Sequence, residues 1–277
     1  MQNLLKSIFI SIFPVFALYV VIQYIWVLLQ TGFSTQSLGM IIAALPVVIF
    51  FAGLFLKPVA RTKRYLNIYT NLIGIGFVIS MIGYAFDSID QAHLLGVVLI
   101  IGWVLYLKWY SVFNKRNTTV LKVGEKLPNV TLENAQKETI PVADFLGNPT
   151  IYLFYRGNWC PLCMAQIKEI VDQYKILEER GVNTVFISPQ PHKYSENLSK
   201  KHGLQFHFLT DANNTTAKQL GILSKNGIPF GFQTLGYDSD TVLPTVVITD
   251  KEGIIQFVDL TDNYRVRPEP DFFMKYV

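Results

Sequence analysis

The sequence predicts two unlike halves: a membrane α-helical bundle of four spans, followed by an α/β domain. Three observations carry this. Long apolar stretches fill the first 113 residues of a chain of 277. Beyond them, β-branched and aromatic runs alternate with helical periods, the pattern of a sheet covered by helices on both faces. Both cysteines of the chain fall in one short motif, Cys160-Pro161-Leu162-Cys163, at one of those strand-to-helix changes.

The apolar stretches run Ile8–Leu29, Leu38–Leu56, Leu66–Phe86 and Leu94–Phe113. Each is close to the ~20 residues needed to cross a bilayer. The first three hold no Asp, Glu, Lys or Arg, and the fourth holds only Lys108, near enough to its end to snorkel. The first is too long for the apolar core of a signal peptide and lacks a small-residue cleavage site. Basic residues gather in alternate loops: Lys6 before the first span, Lys57, Arg61, Lys63 and Arg64 between the second and third, and Lys115, Arg116 and Lys122 after the fourth. The loops Thr31–Ser37 and Asp87–His93 hold no Lys or Arg, and the latter carries Asp87 and Asp90. By the positive-inside rule both termini, and with them the cysteine-bearing domain, are expected in the cytoplasm. The same clustering accounts for a pI near 8.9 without a nucleic-acid partner. The expected partners include membrane lipid.

Within the spans, Tyr19, Gln23, Tyr24, Asn67, Asn71 and Tyr84 suit interhelical hydrogen bonds, and Gly74, Gly76 and Gly83 suit close helix approach. Pro14 and Pro46 are candidate kinks. No cysteine lies in this half, which excludes a thiol relay across it within the chain.

The expected division is 1–113 for the membrane domain, 114–120 for a polar linker and 121–277 for the α/β domain. In the latter, Val123–Leu132 reads as a turn and an edge strand, and Ile140–Phe145 leads to a turn at Gly147-Asn148-Pro149. Thr150–Tyr155 reads as a buried strand. Met164–Glu179 has a helical period and ends at Gly181. Val182–Ser188 is a strand, Lys193–His202 a helix closed by Gly203, and Leu204–Leu209 a strand. Asp211 caps a helix over Asn213–Leu220. Ile222–Thr241 is a loop-rich insertion with Phe230, Phe232 and Tyr237 among glycines, a lid, a dimer surface or a plain surface loop. Leu243–Asp250 and Ile254–Leu260 form a hairpin about Lys251-Glu252-Gly253, and a helix starts at Pro268.

The cysteine motif sits where thiol chemistry is favoured. The first turn of a helix has unpaired N–H groups and a partial positive charge, which stabilise a thiolate. A second thiol one turn on can close a disulfide. Arg156 can add positive charge, Trp159 can shield the sulfur, and Pro161 suits the first helical position. A zinc site would need two more ligands, and His192, His202 and His207 are not in ligand spacing. No metal or organic cofactor is expected.

These segments together resemble the thioredoxin superfamily and, within it, the peroxiredoxin-like AhpC/TSA (redoxin) branch, over about residues 121–277. The residues that carry the resemblance are Val123-Gly124 with Leu127-Pro128, Phe154–Cys163, Ile187-Ser188-Pro189-Gln190, Leu243–Gly253 and Asn263–Pro270. The resemblance implies a thioredoxin-like fold and a cis peptide before Pro244, with Leu243 offering its backbone to a disulfide partner. It also exposes a departure. Typical peroxiredoxins place a Thr three residues before the attacking cysteine and an Arg before the strand that ends in Asp-x-x-Gly. Aligned on Cys163, those positions hold Cys160 and Leu243.

The function expected is a membrane-anchored thiol-disulfide oxidoreductase of that group. Cys160, which precedes the helix and is expected to be the more exposed, attacks and Cys163 resolves, or the reverse if the peroxiredoxin alignment governs. The substrate is a hydroperoxide or a protein disulfide, and an external thiol reductant of the thioredoxin or glutathione type resets the pair. The alternative is a non-enzymatic redox sensor or assembly factor for a membrane partner.

Overall fold

The computed structural model describes residues 2–87, 92–113, 116–117, 119–202 and 206–277. Of the residues discussed above, Asp90, Asn114, Lys115, Gly203 and Leu204 lie outside the described set. The chain forms two compact units, one of Ile8–Pro58 with Thr62–Val112, the other of Phe113–Val277 with the short segments Met1–Ser7 and Val59–Arg61.

Four helices carry the apolar stretches: α1 (Gln2–Thr31), α2 (Thr35–Leu56), α3 (Asn67–Asp87) and α4 (Ala92–Leu105), the last continued by a π-helical turn at Tyr106–Tyr110. By length and composition all four suffice to cross a membrane, the fourth counted as His93–Tyr110. Ser34 caps α2, its hydroxyl accepting from the Ser37 N–H at 3.1 Å. Helix α1 continues through Pro14 and α2 through Pro46. Helices α2 and α3 meet along a seam of small residues. A Cβ at Gly39 would overlap the backbone of Ser80, one at Gly76 that of Ala43, and one at Gly83 that of Gln36. Backbone approach this close holds the two helices together by van der Waals packing. Gly74 is not part of the seam, since nothing lies within 4 Å of an added Cβ there. Phe50 packs edge-on against Phe51, Tyr69, Trp103 and Tyr106, with centroids 5.3–5.6 Å apart. The buried Trp103 indole donates to Thr70 Oγ1 at 2.9 Å.

The second unit is built on β1 (Thr131–Glu133), β2 (Thr139–Pro141), β3 (Thr150–Phe154), α5 (Pro161–Asp172), α6 (Tyr174–Glu179), β4 (Asn183–Ser188), α7 (His192–His202), β5 (His207–Thr210), α8 (Thr215–Gln219), β6 (Leu223–Ser224), β7 (Thr241–Val242), β8 (Thr245–Thr249), β9 (Ile255–Asp259) and α9 (Pro270–Phe273). Seven strands form one sheet in the order β2-β1-β5-β4-β3-β8-β9, and β6 pairs with β7 apart from it. Strand β3 runs parallel to β4 and antiparallel to β8, and all five of its residues are buried. That placement explains a continuous apolar run without alternation. The chain leaves β3 level with Ile187 and Thr245 and enters the cysteine turn.

Three elements differ from the sequence reading. The helix expected over Met164–Glu179 begins at Pro161 and breaks at Gln173 into α5 and α6. It ends as expected at Gly181 (φ +64°), in a Schellman pair: Val182 N–H to Leu177 O and Gly181 N–H to Glu178 O, both 2.9 Å. The helix expected over Asn213–Leu220 is interrupted because Asn213 and Asn214 are left-handed, although the Asp211 carboxylate still accepts from Thr216 and Ala217 N–H at 2.8 Å. Arg116, counted from sequence among the loop cations, is buried. Its guanidinium donates to Pro244 O at 3.2 Å, Thr261 O at 3.0 Å and Thr245 Oγ1 at 2.6 Å.

The α2–α3 seam is tested by Gly76→Leu, expected to destabilise the detergent-solubilised protein by about 1–3 kcal/mol as overpacking does. Gly74→Ala, one turn-face away, is expected to leave the thermal midpoint unchanged. Equal effects of the two would mean that the seam does not hold the pair.

Candidate active site

Strand β3 delivers Tyr155 and Arg156 to the end of the sheet, and Gly157 at φ +145° turns the chain toward α5. Cys160 is the N-cap of α5, Pro161 is its first residue and Cys163 its third. Both thiols are free, and both are buried, at 2% and 0% exposure. Exposure therefore does not distinguish them, although the sequence reading took Cys160 as the more exposed.

The electrostatics do distinguish them. Burial alone raises a thiol pKa. At Cys163 this is outweighed by a hydrogen bond with the Cys160 thiol, by the charge and hydrogen bond of Arg267, and by an Arg156 backbone hydrogen bond, which together bring it down to about 5. Cys160 is driven the other way by burial and by its hydrogen bond to Cys163. At neutral pH the pair is a Cys163 thiolate with a Cys160 thiol donating to it.

Arg267 is the group that sequence reasoning missed. It reaches the site from the segment after β9, is 5% exposed, and places Nη2 3.5 Å from Cys163 Sγ. Its Nε donates to Tyr264 O at 2.9 Å, and its Nη1 to Gln166 Oε1 at 2.8 Å. Gln166 lies three residues after Cys163, on the same helix face. The sequence signal was present but unread: a buried-type Gln one turn past the motif, and the Arg-Val-Arg run in a segment noted only for resemblance.

The other expected site residues are accounted for as follows. Arg156 is buried and not on the surface. Its guanidinium lies 4.7 Å over the Trp159 ring and donates to Gly227 O, and its charge lowers the Cys160 pKa against the dominant burial. Trp159 packs on Phe232, with centroids 5.6 Å apart. Gln190 ties the turn from below: its Oε1 accepts from Asn158 N–H at 2.9 Å and its Nε2 donates to Tyr155 Oη at 2.9 Å. The residues Leu243 and Pro244 do not take the expected form. There is no cis peptide among the described residues. The Leu243 N–H already donates to Ile222 O at 2.7 Å, and its carbonyl accepts from Thr245 Oγ1 at 2.8 Å. Both backbone groups of Leu243 are thus already hydrogen-bonded within the chain.

The insertion between β6 and β7 lies on the cysteine turn. Besides the Gly227 and Phe232 contacts, Tyr237 Oη donates to Asn158 Oδ1, and the Tyr237 ring stacks on Tyr194 at 5.0 Å. A short 3-10 turn at Phe232–Leu235 is bounded by Gly231 (φ +98°) and Gly236 (φ +89°). Among the described residues no three His, Cys, Asp or Glu side chains are grouped to hold a metal.

Residues 123–258 match the AhpC/TSA family model. Among curated proteins, the chain is 30% identical over 139 residues to a putative peroxiredoxin bcp of Coxiella burnetii, covering 50% of this chain and 87% of that protein. It is 26% identical over 135 residues to Peroxiredoxin Bcp of Bacillus subtilis, covering 48% of this chain and 81% of that protein. It is 28% identical over 135 residues to the chloroplastic Peroxiredoxin Q of Triticum aestivum, covering 49% of this chain and 57% of that protein. Among solved structures, reduced Prx3 of Vibrio vulnificus in complex with hydrogen peroxide aligns at 16% identity with a TM-score of 0.49, covering 57% of this chain and 99% of that one.

Two outcomes are expected from alkylating the reduced full-length protein. Modification of Cys163 keeps its rate from neutrality down to about pH 5 and falls below it, as the thiolate is protonated. Phe232→Ala speeds the reaction about two- to tenfold, the equivalent of the ~0.5–1.5 kcal/mol of one aromatic pair. An unchanged rate would mean that the insertion does not control access.

Proposed function

We propose that this chain, which belongs to the AhpC/TSA family of peroxiredoxins, is a membrane-anchored thiol peroxidase that reduces hydroperoxides with the Cys160–Cys163 dithiol. The observation that carries the reading is the buried Cys163 sulfur, with the Arg267 guanidinium at 3.5 Å and the Cys160 thiol hydrogen-bonded to it.

Cys163 is the attacking thiolate in this reading. Its sulfur attacks the terminal hydroxyl oxygen of the hydroperoxide, the S–O bond forms as the O–O bond breaks, and the leaving alkoxide or hydroxide takes a proton and departs as alcohol or water. The cysteine is left as sulfenic acid. Arg267, already beside the sulfur, stabilises the negative charge spread over sulfur and oxygens during displacement. Cys160, one helical turn away, then attacks the sulfenic sulfur, and water leaves as the disulfide closes. Cys160 occupies the position where the typical pattern has a Thr, and its thiol supplies a donor there before it supplies the resolving sulfur. An external dithiol reductant of the thioredoxin type, or a glutathione system, restores the pair. No cofactor enters the cycle.

A protein disulfide is the less suited substrate. The Leu243 backbone that would align an extended peptide is already hydrogen-bonded, and the insertion rests on the turn. Anchoring is supported by four helices of sufficient length and apolarity. The basic loops favour a cytoplasmic redox domain.

The test is steady-state turnover of the detergent-solubilised full chain with a thiol reductant, comparing hydrogen peroxide, an organic hydroperoxide and an insulin-type disulfide. Peroxide consumption is expected, and its loss to background in Cys163→Ser. Cys160→Ser is expected to trap sulfenic acid on Cys163. Trapping on Cys160 in the Cys163→Ser protein would reverse the roles, and disulfide reduction without peroxide turnover would overturn the reading. For orientation, a C-terminal reporter active only in the cytoplasm is expected to report positive.

A further inference from the structure

We propose that Arg267, positioned by Gln166, sets the redox poise of the cysteine pair, making its disulfide an oxidant that dithiols of the thioredoxin class reduce downhill. The proposal rests on the reading of the pair as redox-active.

Arg267 is almost fully enclosed, yet its hydrogen bonds reach no carboxylate. They go to the Tyr264 carbonyl, the Gln166 side-chain oxygen and the Cys163 sulfur. Two of these acceptors are neutral. Asp259 bears on it through charge alone, and a buried cation with no anion in hydrogen-bond contact is costly, so the guanidinium favours the state of the site that brings one into contact. Reduction supplies it and oxidation removes it. The disulfide takes two electrons and one proton, leaving Cys163 as thiolate and Cys160 as thiol, while the donor dithiol becomes a disulfide and releases two protons. Arg267 therefore stabilises the reduced form alone, and a couple whose reduced form is stabilised is a stronger oxidant. Gln166 acts through Arg267. Its amide oxygen holds Nη1, which fixes the direction in which Nη2 points, and it moves with the helix that carries Cys163. The segment bearing Arg267 is anchored independently, by Thr261 Oγ1 donating to Val266 O at 2.9 Å and Arg265 N–H donating to Asn263 Oδ1 at 3.0 Å.

The charged and titratable groups bearing on the pair are Arg267 from the segment after β9, Arg156 and Tyr155 from the end of β3, and Asp259 on β9, which acts on Arg267 from a distance. Asp259 is itself engaged with Thr261 N–H at 2.9 Å and with the charge of Arg116. Tyr155 is fully buried and stays neutral, its hydroxyl held by Gln190. The guanidinium of Arg267 hydrogen-bonds the Cys163 sulfur through its side chain.

The full chain in detergent is equilibrated with dithiothreitol or glutathione redox buffers, and the disulfide fraction is read by thiol labelling and mass spectrometry. Arg267→Gln is expected to make the disulfide harder to reduce by at least about tenfold, a shift of about 30 mV to more negative potential. Gln166→Ala shifts it in the same direction by less, and Arg267→Lys restores part of the loss. With one proton taken up per two electrons, the wild-type potential falls by about 30 mV per pH unit around neutrality, and in Arg267→Gln the slope steepens toward about 59 mV as a second proton is taken up. A wild-type slope near about 59 mV, or an Arg267→Gln protein that keeps its circular-dichroism spectrum and its potential, would overturn the proposal. Peroxide turnover is measured on the same samples. Intact potential shifts without turnover would sink the peroxidase reading alone, and turnover without shifts would sink this one alone.

Discussion

One buried ion pair organises the redox unit. A guanidinium and a thiolate, each expensive to enclose alone, are enclosed together at the first turn of α5. Everything adjacent serves that arrangement. The Arg156 backbone supplies a hydrogen bond to the sulfur, and the helix supplies, three residues on, the Gln166 amide. The segment after β9 supplies Arg267 and the Tyr264 carbonyl that fixes its Nε. The pair thus ties the residues that follow the last strand to the helix that follows the central one. Sequence-distant parts must both be in place before either charge is tolerable.

The sheet explains why the turn is held so firmly. Strand β3 is buried on both faces and bonded on both edges, so its last residue is a fixed point from which Tyr155, Arg156 and Gly157 depart. Gln190, leaving the neighbouring β4, reaches back with both ends of its amide to the same turn. A buried amide that satisfies a backbone donor and a phenol at once specifies one geometry, because any slip strands a polar group.

Much of this was legible in the sequence, and the remainder was not, for a physical reason. The apolar spans, the central strand, the Gly181 helix end and the cysteine pair are local signals, each decided within a few residues of itself. The identity of the activating cation was not local. Leu243 stands where the family pattern leads one to seek an arginine, and nothing within ten positions of the motif except Arg156 is basic on its N-terminal side. Arg267 lies 104 positions from Cys163, and only the folding of β8 and β9 back beside β3 brings it there. The break at Gln173 and the left-handed Asn213 and Asn214 likewise reflect tertiary packing that overrides a helical period. The trans geometry before Pro244 goes with a Leu243 amide claimed by Ile222, a pairing created by the insertion and invisible to a motif.

The enclosure of the two sulfurs has a consequence for supply. At 2% and 0% exposure neither sulfur meets bulk solvent in this conformation. On the proposed peroxidase reading, an oxidant would reach them only as often as the surrounding contacts open. At high oxidant the rate of opening, and not the concentration outside, would then set the throughput.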